Sequence, residues 1–137
     1  MKTALSVLLA ASVLGGSAVA QERSGSEELT SRPGTVLVMR GLDKITAETL
    51  DFEIPIGEEY RYGPLTITPT YCRKRPPEET PEIFAFLQIV DRRSDGTGVD
   101  AEGEVEPVFS GWMFGSNPAL NPLEHPVYDV WVIDCRD

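Results

Sequence analysis

Cysteine, histidine and positive charge are all scarce in this chain. Of 137 residues, two are cysteine and one is histidine, and 12 Lys and Arg stand against 22 Asp and Glu, for a formal charge of −10. Each shortage excludes something. Cys72 and Cys135 lie far apart with no C-x-x-C pair, the spacing a thiol oxidoreductase needs. His125 and two distant cysteines do not match zinc-ligand spacing. Asp95-Gly96-Thr97-Gly98-Val99-Asp100 lacks the residue order of a calcium loop, so no metal site is read there. No cofactor fingerprint occurs and no cofactor is expected. The acidic balance argues against nucleic acid or anionic lipid as the main partner. Beyond residue 20 no stretch is apolar enough to span a bilayer.

What is present begins with an export signal. Lys2 supplies a positive start, Thr3 to Leu14 form a short apolar stretch, and Ala18-Val19-Ala20 is a small-x-small cleavage site. The expectation is cleavage after Ala20 and a periplasmic protein with no remaining transmembrane segment. In an oxidising compartment two cysteines are most simply one structural disulfide. A Cys72–Cys135 bridge closes a loop of about sixty residues, worth on the order of 4 kcal/mol in the chain-entropy model.

Residues 21–34 are polar, lack periodic apolar positions and read as a flexible leader. Residues 35–137 read as one β domain. Val36 and Val38 begin a β-branched run ending near Gly41, and Leu50, Phe52 and Ile54 alternate with Asp51 and Glu53. Tyr60 to Tyr62 and Leu65 to Cys72 follow, separated by Gly63-Pro64. Arg73 to Pro81 is too rich in proline for a central strand. Ile83 to Val90 is nearly continuous in apolar residues, which suits a strand buried on both faces. Asp91 to Glu106 reads as a long solvated hairpin loop, with Val108 to Phe114 and Val127 to Cys135 as the last strands. Between those two, Pro118, Pro122 and Pro126 predict tandem turns or one short 3₁₀ turn. About seven short strands predict an all-β fold, a small antiparallel sandwich or barrel. Strict alternation raises one conflict. It places Cys72 with Thr66, Thr68 and Thr70, and Cys135 with Trp131 and Ile133, so a threonine row would face an apolar row. A bulge or twist at Pro69 is therefore expected.

Arg73-Lys74-Arg75, followed by Pro76-Pro77-Glu78-Glu79, is the densest basic cluster. Held extended by the prolines, it suits contact with an anion or a partner. Local neutralisation by Glu78, Glu79 and Glu82 is its plainer role. Phe109 to Phe114 and Val127 to Trp131 hold both tryptophans, and Trp112, Tyr128 and Trp131 are either core or contact surface. Alternation sets Trp112 opposite Phe109 and Met113, which leaves one face open for contact. A Ser116, His125, Asp129 arrangement can also be drawn, but no G-x-S-x-G elbow supports it, and Pro126 points to a structural turn at His125.

Four stretches carry a resemblance: Gly41-Leu42-Asp43-Lys44-Ile45-Thr46-Ala47, Cys72 to Glu79, Phe109 to Phe114, and Leu123 to Cys135. Together they resemble an uncharacterised family of exported alphaproteobacterial proteins, domain of unknown function 2155, over about residues 35–135. The resemblance implies location and domain extent, and brings no activity or site residues with it. The residues themselves point to a non-catalytic binding or assembly protein of the envelope. Its partner, an unknown envelope protein or ligand, would meet Arg73, Lys74, Arg75, Trp112, Tyr128 and Trp131. The alternative is a small periplasmic hydrolase using His125. A Cys72–Cys135 bridge would bring the basic proline segment to the acidic end at Asp134 and Asp137, forming one surface within reach of the aromatic strands.

Overall fold

A hairpin with a four-residue turn begins the smaller of two sheets. In β2 (Val36–Asp43) and β3 (Glu48–Pro55), Leu37, Met39, Phe52 and Ile54 point to one side and are buried. The Asp43 carboxylate closes the turn by accepting the Ile45 and Thr46 N–H groups at 2.8 and 3.2 Å, an Asx turn. Ala47 completes it in the left-handed region at φ 60°. This computed structural model describes residues 30–93 and 105–137. The expected signal, its cleavage site and most of the leader lie outside those residues, as do residues 94–104 of the expected acidic loop.

The other elements are β1 (Arg32–Pro33), β4 (Tyr60–Tyr62), β5 (Leu65–Lys74), β6 (Ile83–Asp91), β7 (Phe109–Phe114), a 3₁₀ turn at Pro118–Leu120 and β8 (Tyr128–Arg136). The smaller sheet has the order β3-β2-β8. In the larger, β6 lies between β5 and β7, while β1 and β4 share the other edge of β5, β4 at its start and β1 at its end. All pairings are antiparallel. Of the all-β alternatives expected, a small antiparallel sandwich or barrel, the sandwich is what forms. Eight strands occur among the described residues against the roughly seven expected. The added one is β1, so pairing starts three residues before the expected boundary at Thr35 and takes in the end of the stretch read as a flexible leader.

The sheets meet through Leu37, Met39, Phe52, Ile54, Val130 and Val132 on one side and Leu65, Ile67, Leu87, Ile89 and Met113 on the other. The disulfide Cys72–Cys135, with Cα atoms 6.0 Å apart, ties β5 of one sheet to β8 of the other. Gly34 sits against it: a Cβ there would collide with Cys135 Sγ and lie 2.6 Å from the Arg136 carbonyl oxygen.

The parity conflict is resolved twice. On β5 the register with β6 shifts between Pro69 and Tyr71, so burial passes from Leu65, Ile67 and Pro69 to Cys72. That is the expected bulge. A second shift lies in the pairing of β2 with β8, where Val38 faces Asp134 and Met39 faces Val132. Ile133 is the extra residue, and it moves Cys135 off the Trp131 face and onto that of Val130 and Val132. Both cysteines thereby point inward. The reading of β6 as buried on both faces needs correction. Ala85, Leu87 and Ile89 are buried, but Phe84, Phe86 and Val90 are only half-buried and Gln88 is exposed. No second layer covers that side among the described residues.

Candidate functional site

The outward side of the larger sheet carries ordered aromatic residues. Register places Tyr71, Phe86 and Trp112 in one row across β5, β6 and β7, and Arg73, Phe84 and Phe114 in the next. The extra residue at Thr70 is what turns Tyr71 outward. Tyr71, Phe84 and Phe86 each present an edge-to-face contact to the Trp112 ring, with centroids 6.0, 6.1 and 5.5 Å away. Such geometry is favourable between aromatic quadrupoles. Even so, Trp112 remains 39% and Tyr71 37% exposed. Arg73 closes one end. Its guanidinium lies 5.9 Å from the Tyr71 ring centroid, donates to the Tyr71 hydroxyl at 2.7 Å, and donates to Ser31 Oγ at 2.8 Å and to the Ser31 carbonyl. Among the described residues no carboxylate pairs with it. At the other end Thr68, Gln88 and Ser110 form a polar row, with Gln88 Nε2 donating to Ser110 Oγ at 3.3 Å.

The six residues expected to meet a partner do not form one surface. Arg73 and Trp112 share this face. Lys74 and Arg75 lie at the disulfide end, where Arg32, Lys74, Arg75, Pro76, Pro77 and Arg136 border a pocket of about 330 Å³. Trp131 is on the outward side of the smaller sheet beside Arg40, and Tyr128 is at the far end of the sandwich. One part of the expected surface does form: Lys74 Nζ reaches Asp134 Oδ1 at 2.6 Å. Burial alone would raise the Asp134 carboxyl, but hydrogen bonds from Lys74, the Cys135 N–H and Arg136 outweigh it and hold the group below its usual range.

Ser116, His125 and Asp129 are not assembled. Ser116 donates to Glu82, next to the start of β6. His125 lies against Asp91, the last residue of that nine-residue strand. At about 3.3 Å per residue the two are roughly 25–30 Å apart. The His125 side chain is 2% exposed and that of Asp91 3%. Its Nδ1 accepts the Val127 and Tyr128 N–H groups at 3.1 and 3.0 Å, which assigns the proton to Nε2, 3.1 Å from Asp91 Oδ2. Asp91 also accepts from the Arg93 N–H at 3.0 Å and from its guanidinium. The Asp129 carboxylate turns to Lys44 Nζ at 3.3 Å. Both ring nitrogens of His125 are thus occupied in pinning the β7–β8 connection to the end of β6. Among the described residues no group of three or more His, Cys, Asp or Glu is placed to hold a metal ion, and no helix is long and apolar enough to cross a membrane.

Sequence reasoning did not single out Tyr71, Phe84 or Phe86 as surface residues. Gln88 was the available signal, because at period two it shares a face with Phe84 and Phe86 and marks that face as open. Asp91 as the partner of His125 had no signal, since the contact spans 34 positions.

Comparison with known proteins agrees with the residues that carried the resemblance. An uncharacterized protein of Rickettsia prowazekii, RP359, is 28% identical over 94 residues, covering 69% of this chain and 56% of that protein. The chain therefore spans a little over half the length of this curated relative. No solved structure matches. The profile of a family described as uncharacterized protein conserved in bacteria, DUF2155, matches residues 37–135. The chain belongs to that family.

Proposed function

We propose that this is a non-catalytic binding protein of the bacterial envelope that holds a protein partner on the outward aromatic face of its larger sheet. The observation that carries the reading is the row Tyr71, Phe86, Trp112, solvent-facing and bordered by Arg73. Trp, Tyr and Arg are the residues most enriched at the energetic centres of protein interfaces, with polar groups around them. Here the polar border is Thr68, Gln88 and Ser110. Strand positions on this face include Arg61 and Arg73 and no Asp or Glu, in a chain of formal charge −10. The matching partner surface is apolar with a carboxylate set over Arg73. Periplasmic location is part of the proposal. It is supported by Lys2, the apolar stretch to Leu14 and the Ala18-Val19-Ala20 site, and a disulfide between distant strands suits an oxidising compartment.

A photo-cross-linking side chain at Gln88, on the aromatic face, and separately at Asp51, on the opposite face, tests this in the producing cell. The expected result is one discrete protein adduct from position 88, lost in Trp112→Ala, and none from position 51. Absence of an adduct at 88, or an adduct that survives Trp112→Ala, overturns it.

A further inference from the structure

At the end of the sandwich remote from the disulfide, residues of both sheets border an open cleft of about 510 Å³. It is lined by Asp43, Glu48, Thr49, Leu50, Tyr62, Gly63 and Tyr128. We infer that this cleft binds an alkylammonium group, with its methylene stem on Leu50 and the tyrosines and its charged head at Asp43 and Glu48. The cleft is separate from the aromatic face, so the inference stands independently of what that face holds.

The opening comes from the chain itself. Leu50 shares its side of β3 with the buried Phe52 and Ile54, yet it is 51% exposed. Opposite it in register is Gly41, which has no side chain to cover it. Gly41 makes room for Tyr62, because a Cβ there would lie 2.5–2.9 Å from three atoms of the Tyr62 ring. Gly63, at φ 58°, does the same for Tyr128, whose hydroxyl would be 3.0 Å from an added Cβ. Tyr62 and Tyr128 meet edge to face at 5.5 Å. The wall is therefore fixed, aromatic and aliphatic, as small-ligand sites usually are.

The rim sets the sign of the charge. Asp43 and Glu48 face each other across the hairpin. Asp43 Oδ1 is taken by the Ile45 and Thr46 N–H groups, while Oδ2 has no partner among the described residues. Neither carboxylate forms an ion pair among the described residues, and the neighbouring Lys44 turns instead to the His125 carbonyl and to Asp129. The Tyr62 hydroxyl registers the result: burial first, then Asp43, Tyr128, Glu48 and Tyr60, push its pKa upward. An anion would be repelled and a plain alkane would leave the carboxylates without a counter-charge. A long amine satisfies both parts, as a lysine does when its stem lies on apolar surface and its head reaches polar groups.

Two sources carry that group, a free small amine and a lysine side chain of another protein. Butylammonium and a blocked lysine amide represent them, with butanol, butyrate and the acetylated lysine amide as controls. The readout is the NMR shift of the Tyr62 and Tyr128 ring protons in the full domain. The expected result is saturable shifts with a cationic probe alone and an affinity at least about 10-fold lower in Asp43→Asn/Glu48→Gln. That double variant keeps the Asx-turn acceptor, and its unchanged melting temperature shows the fold is intact. Equal binding of both cations assigns the site to the ammonium group itself, and binding of the lysine amide alone assigns it to a protein side chain. No saturable shift with either cation, equal shifts with the neutral controls, or full affinity in the double variant overturns the inference.

Discussion

The two outward faces of the sandwich are built on opposite plans. On the smaller sheet, charges meet across strands, Arg40 with Asp51 at 2.7 Å and Arg136 with Glu53, while Asp134 pairs with Arg136 along β8 and with Lys74 of the larger sheet. Arg40 stays protonated more firmly and Asp51 sits below its ordinary value, each mainly through their shared hydrogen bond. On the larger sheet, the corresponding rows are aromatic and the guanidinium of Arg73 rests on a serine and a tyrosine. A face of exposed, mutually neutralised pairs is at ease in water, and such pairs add little to stability. A face of half-exposed aromatics keeps apolar surface in contact with water, and a partner that removed that contact would gain from it. The contrast, more than any single residue, separates a solvated face from the face proposed for docking.

The strongest way to break the comparison is to cut the link between the two sheets. Cys72→Ala/Cys135→Ala, or reduction of the parent, is expected to lower the free energy of unfolding in urea by about 4 kcal/mol. A loss below about 1 kcal/mol would mean that packing alone holds the sheets together. A smaller effect sharpens the distinction between structure and chemistry at the far end of the aromatic sheet. His125→Ala is expected to cost about 2 kcal/mol in thermal or urea unfolding, because Asp91 then loses a buried donor. Undiminished stability in that variant would remove the structural role assigned to His125.

Much of this was legible in the residues, and the failures have physical causes. The alternation of Leu50, Phe52 and Ile54 with Asp51 and Glu53 identified β3 and both its faces. The conflict between Cys72 and the threonine row forced the bulge in β5. The bulge at Ile133 went unread because Trp131, Ile133 and Cys135 already looked like one apolar face, so the sequence held no contradiction to resolve. For β6, a continuous apolar run is what a doubly covered strand and a strand with an exposed aromatic face both look like. Only Gln88 tells them apart. The residues expected to meet a partner scattered because tryptophan and arginine show that contact is chemically possible, while strand parity and the two bulges decide which side each one faces. The cleft was beyond reach, since it depends on Gly41 lying opposite Leu50 and under Tyr62, contacts made across two sheets.

The most direct measurement is oxidative footprinting of the two tryptophans, in the purified protein and in the intact envelope of the producing cell. If the aromatic face is the docking surface, Trp112 is oxidised readily in the purified protein and is protected in the envelope, while the rate at Trp131 stays the same in both. Equal oxidation of Trp112 in the two settings, or protection of Trp131 instead, would contradict it.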